Sequence, residues 1–168
     1  MSPATVLLYV AIAALVIYRV IYRQLRGTLL SRKGLMLMPL ILVAIGVFTA
    51  LQALPRASAG ELALLGVDIV VLGALGALRS ATTTLTRSGN TTFQKGSALT
   101  LVLWLATIAV RVGFGFLGGT LGVSGALTSS TIMLTLGISI AVQNGLTYLR
   151  IQRLGLPLAD QDRRSVNA

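Results

Sequence analysis

The chain has 168 residues, is 55% hydrophobic and only 11% charged, and carries a net charge of +10. A soluble domain of this size holds about 25% charged residues, so with a mean hydropathy of +0.87 most of the surface cannot be facing water. Cysteine and histidine are both absent, which excludes disulfides, thiolate zinc sites and iron–sulfur ligation, together with the commonest haem ligand and neutral-pH general base.

The first apolar run spans Ala4 to Tyr22, about 19 residues, with no basic residue before it and Arg19, Arg23 and Arg26 at or beyond its end. A cleaved signal peptide has the opposite polarity, basic first and apolar second. The run is long enough to span and reads as a retained helix with its N-terminus outside; the alternative is an uncleaved signal.

A basic loop follows, Arg19 to Lys33, with five positive charges and no acid. The second run, Leu35 to Leu54, places Pro39 in its first turn, where a missing N–H costs little, and ends at Pro55. The third run, Glu61 to Leu78, contains Asp68. Gly66 and Gly73, seven residues apart, share a helix face and predict close approach by a neighbouring helix.

Between Arg79 and Gly96 the apolar pattern stops. Thr82 to Arg87 and Thr91 to Lys95 are β-prone and flank the turn residues Ser88, Gly89 and Asn90, which predicts either a small hairpin at the membrane surface or a plain loop. The fourth run, Ser97 to Leu117, holds Trp104 and Arg111. The glycines at 113, 115, 118, 119, 122 and 125 read as the end of that helix and an outer turn, or as a packing face. The fifth run, Ala126 to Arg150, begins with Ser and Thr and carries a smooth stripe of Gly137, Ala141 and Gly145. Gln143, Asn144 and Tyr148 form a lesser polar cluster near its basic end. The expected fold class is thus an all-α membrane protein of five transmembrane helices. One domain covers residues 1–153, and a polar cytoplasmic tail covers 154–168.

Five spans put the first loop, the third loop and the C-terminus on one side. That side holds twelve basic residues, Arg79 among them, against Asp160 and Asp162, while Arg56 and Glu61 cancel opposite, so the whole net charge lies on one face. The positive-inside rule makes that face cytoplasmic, with the N-terminus outside. Arg19, Arg23, Arg26, Arg32, Lys33, Arg150 and Arg153 are the candidate contacts for anionic lipids of the cytoplasmic leaflet. Nucleic acid is a poor partner, because no aromatic residues interleave with the charges.

Asp68 and Arg111 each lie roughly 10 Å from the outer ends of their runs at 1.5 Å per residue, so they reach similar depth. An ionisable residue there needs a partner or water. The pair is either a structural ion pair or the polar core of a binding site, whose lining Ser129, Ser130, Thr131 and Thr135 would complete. No nucleotide loop, nucleophile elbow or metal motif is present, no cofactor is expected, and an enzymatic role is the least favoured reading.

Several landmarks together resemble the CcdC-like family of small bacterial membrane proteins: a basic stretch followed by Met38-Pro39-Leu40, a Gly-rich span ending at Arg79, the segment Leu85-Thr86-Arg87-Ser88-Gly89-Asn90 leading to Phe93-Gln94-Lys95-Gly96, and a span carrying Val110-Arg111. The resemblance covers residues 1–153. It implies a multi-pass protein of the bacterial inner membrane with an accessory link to cytochrome c biogenesis and no established activity. The expected role is a non-enzymatic partner of a larger membrane system or of a second copy; the alternative is a small-molecule or lipid carrier built around Asp68 and Arg111.

Overall fold

The computed structural model describes residues 27–120 and 131–158. Within them lie four helices long and apolar enough to cross a membrane: α1 (Arg32–Ala53), α2 (Ala59–Thr82), α3 (Ala98–Thr120) and α4 (Ile132–Arg153). Three short strands accompany them, β1 (Thr28–Leu30), β2 (Thr84–Ser88) and β3 (Thr91–Lys95). The first apolar run, with Arg19, Arg23 and Arg26, lies outside the described residues, as do 121–130 and the tail from 159.

Local signals fix most boundaries. Ser31 caps α1 by accepting from the Gly34 N–H at 3.1 Å. Ser58 and Glu61 form a reciprocal capping box at the start of α2, with bonds of 3.2 and 2.7 Å. Ser97 and Thr100 bond each other's backbone N–H groups at the start of α3. At the end of α4, Gly155 takes φ +61 and the Leu156 N–H returns to the Ile151 carbonyl, closing a Schellman turn.

Three boundaries differ from expectation. α1 begins at Arg32, so Pro39 stands at its eighth residue rather than in its first turn. α2 runs on to Thr82 and takes Arg79 inside it. α3 continues to Thr120, so Gly113, Gly115, Gly118 and Gly119 are helical and do not mark an outer turn. Hydrocarbon explains the last point: a backbone that leaves the helix there has no water to bond, so helix persists despite glycine.

α4 is the hub. It packs against α1 on one side and α2 on the other, and α2 in turn packs against α3, giving the order α1–α4–α2–α3. Small residues allow the close approaches. A Cβ on Gly46 would strike the Leu134 backbone, one on Gly76 the Ser139 carbonyl, and one on Gly137 would lie 2.8 Å from the Val43 nitrogen. Gly66 and Gly73, expected to serve this way, meet no described residue within 4 Å.

The hairpin forms, with Gly89 at φ +60 opening its two-residue turn. It also gains a third strand from the stretch read as a basic loop. β1 pairs antiparallel with β3, setting Leu29 opposite Phe93, so the sheet order is β1-β3-β2. The third strand removes the weakness of an isolated hairpin. The sheet sits where α1 and α3 begin and α2 and α4 end. Leu30, Leu35, Ile151 and Leu158 form a small apolar core there, with Leu85, Tyr148 and Leu156 around it. Thr92 Oγ1 donates to the Pro157 carbonyl at 2.6 Å and ties the chain beyond α4 to the sheet.

Candidate functional site: a polar seam inside the bundle

The packing is inverted relative to a soluble protein. Large apolar side chains such as Leu40, Phe48, Val70 and Phe116 are exposed, while the buried helix contacts are largely polar. α4 makes the pattern plain. Thr131, Thr135, Ser139, Gln143 and Thr147 recur every fourth residue and are all buried. Residues four apart lie above one another on a helix, so they form one polar stripe, and α2 covers it.

Asp68 and Arg111 meet. Arg111 Nη1 donates to Asp68 Oδ2 in an ion pair between α2 and α3. Each residue is nine positions from the end of its helix away from the sheet, a depth of about 13 Å at 1.5 Å per residue. The Asp68 side chain is 3% exposed and the Arg111 side chain 13%. The Thr135 hydroxyl lies next to the same carboxylate and bonds the Thr131 and Ile132 carbonyls of its own helix. Asp68 Oδ1 accepts no hydrogen bond among the described residues. Of the expected lining, Thr131 and Thr135 are buried at this level, whereas Ser129 and Ser130 lie outside the described residues.

A second charged centre lies nearer the sheet and was not expected. Arg79, read from sequence as a surface charge, is fully buried. Its guanidinium lies 4.1 Å from the centre of the Trp104 ring on α3, and Nη2 donates to Ser139 Oγ on α4 at 2.6 Å. Ser139 Oγ in turn donates a hydrogen bond to the Leu72 carbonyl at 2.6 Å. The correction has a physical cause: a guanidinium can enter hydrocarbon when an aromatic face and a hydroxyl meet it there. The four-residue period of the α4 stripe is the sequence signal that foretells such a polar interior.

Toward the sheet, Ser80 and Thr147 share a hydroxyl hydrogen bond of 3.0 Å. Arg150 Nη1 donates to the Ser80 carbonyl and, at 3.2 Å, to that of Thr83, satisfying the otherwise open end of α2. Thr82 and Thr100 join α2 to α3 at 2.9 Å. Gln143, Asn144 and Tyr148 separate: Gln143 joins the buried stripe, while Asn144 and Tyr148 line an apolar groove of about 330 Å³ against Leu35, Pro39 and Val43 of α1. Arg32 stands over the Tyr148 ring at 6.0 Å.

Among the described residues the remaining charge is polarised. Arg32, Lys33, Arg87, Lys95, Arg150 and Arg153 all belong to the sheet end, which carries no acid among the described residues, while Arg56 and Glu61 stand at the far end and cancel there. No group of histidine, cysteine and acidic residues able to hold a metal occurs among the described residues. The chain matches no family model, no curated protein and no solved structure.

Proposed function

We propose that the protein is a five-span accessory subunit of a bacterial inner membrane, with its N-terminus outside and its sheet end in the cytoplasm, and that it acts by holding another membrane protein or a second copy of itself. The carrying observation is a packing surface on α3 and the neighbouring α2 that no described residue occupies. α3 packs on α2 and makes no comparable contact with the other described helices. Gly113, Gly115 and Gly119 on α3, with Gly66 and Gly73 on α2, have no described residue within 4 Å of where a Cβ would stand. Elsewhere in the same protein, glycines of this kind admit a neighbouring backbone. Most of the polar stripe of α4 is engaged within the bundle, which suits a scaffold better than a catalyst.

Orientation rests on the basic sheet end, whose Arg32, Lys33, Arg150 and Arg153 suit the anionic cytoplasmic leaflet. The bacterial setting and the accessory link to cytochrome c biogenesis rest on the CcdC-like resemblance. A photo-crosslinker placed at Gly115 tests the role in native membranes. The accessory reading requires a discrete adduct from Gly115 that is absent when the same probe sits at Leu40 on α1; lipid adducts alone at both positions reject it. A reporter fused at Gly89 must be active in the cytosol.

One observation favours the carrier reading as a second possibility: among the described residues Asp68 Oδ1 is buried without a donor, as a site awaiting a ligand's N–H or O–H would be. That reading requires a co-purifying small molecule or lipid that is lost in Asp68→Asn while the fold survives.

A further inference from the structure

Arg79 and Gln143 carry complementary unmade hydrogen bonds in the most enclosed part of the bundle. Arg79 is fully buried and spends one N–H on Ser139, yet its Nε and Nη1 have no acceptor among the described residues. Gln143 is 9% exposed, and its Oε1 has no donor among the described residues. α2 and α4 run in the same direction, both ending at the sheet, and they touch at Gly76 against Ser139 and at Ser80 against Thr147. Arg79 falls between those contacts on α2 and Gln143 falls between them on α4, both within the buried α2–α4 contact.

We infer that the space between Arg79 and Gln143 is a binding site for resident water, which accepts from the guanidinium and donates to the Gln143 carbonyl oxygen. The orphaned atoms name the ligand. Donors on one side and an acceptor on the other require a molecule that both accepts and donates. A halide accepts only, and a metal cation is repelled by Arg79. Unpaired polar groups buried away from bulk water are costly, and a bridging water typically makes about three hydrogen bonds to such groups. The Trp104 ring closes the guanidinium on one side. Asp68, the acid nearest to Arg79 along α2, is eleven residues away and engaged by Arg111. The water therefore belongs to the polar line that Ser80, Thr147 and Arg150 continue toward the sheet. This inference is independent of whether the protein is a scaffold or a carrier.

Two measurements on the full chain in lipid bilayers test it. In water-edited solid-state NMR, the arginine Nε resonance that disappears in Arg79→Lys must receive magnetisation from water, and must lose most of that transfer in Gln143→Leu. A dry Arg79 signal in the unaltered protein overturns the inference, as does transfer that vanishes when chloride is replaced by gluconate. A high-resolution density map of the unaltered protein needs no variant: ordered water between Arg79 and Gln143 supports the site, and an empty gap or a direct Arg79–Gln143 bond overturns it.

Discussion

Asn144 supplies the hydrogen bond that Pro39 withholds. Proline at position 39 has no N–H, so the Leu35 carbonyl four residues earlier loses its partner within α1. Asn144 Nδ2, reaching across from α4, donates to that same carbonyl at 2.9 Å. A hydrogen bond missing from a helix in lipid is thereby replaced by a specific contact between two helices. Asn144→Leu should lose about 1–3 kcal/mol, the usual penalty for an orphaned buried acceptor. In a Pro39→Ala background, where the backbone N–H returns, the same substitution should cost clearly less. Equilibrium unfolding in mixed micelles reads both values; equal costs in the two backgrounds would refute the compensation.

The Asp68–Arg111 pair should show the asymmetry of buried ions. Asp68→Asn or Arg111→Met leaves one charge without its partner and should cost about 3–5 kcal/mol. The double variant Asp68→Leu/Arg111→Met, with neither charge left, should be far more stable than the sum of the two singles. A double-mutant cycle on unfolding checks this, and strict additivity would show that the two side chains do not interact in the membrane.

Glycine position, rather than glycine content, should decide packing. Gly76→Ala drives a methyl into the Ser139 carbonyl and should lower stability by about 1–3 kcal/mol. Gly73→Ala meets open space and should be neutral or gain up to about 1 kcal/mol from helix propensity. Thermal unfolding distinguishes them; equal damage at both positions would contradict the α2–α4 interface.

Arg79 depends on its aromatic cover. Trp104→Leu removes the ring and should destabilise the bundle by about 2 kcal/mol, the scale of a desolvated cation–π contact, while Trp104→Phe should retain part of it. Should Leu and Phe behave alike, the ring face contributes nothing beyond bulk.

Among the described residues, a hydroxyl bond from Thr92 to the Pro157 carbonyl and the small apolar cluster around Leu30 hold the sheet to the bundle. Thr92→Val keeps the shape and removes the bond, at about 1 kcal/mol. Hydrogen exchange in residues 91–95 should quicken while α2 and α4 stay protected. Unchanged exchange would locate the anchoring in the apolar cluster alone.

The sequence alone was enough to establish four of the spans and to offer the hairpin as one of two readings. Those features depend on local quantities: runs of apolar residues and a Gly-Asn turn. It also set Asp68 and Arg111 at one depth, because depth in a helix is a count of residues. Tertiary structure decided what each polar group does. A charge at the edge of an apolar run looks the same in sequence whether it faces headgroups or turns inward. Arg79 turns inward because Trp104, 25 residues on, and Ser139, 60 residues on, converge on it. In the same way β1 exists only because β3 arrives beside it, and Gly76 rather than Gly73 is tight because α4 crosses there. Such outcomes rest on contacts between distant segments, which local composition does not encode.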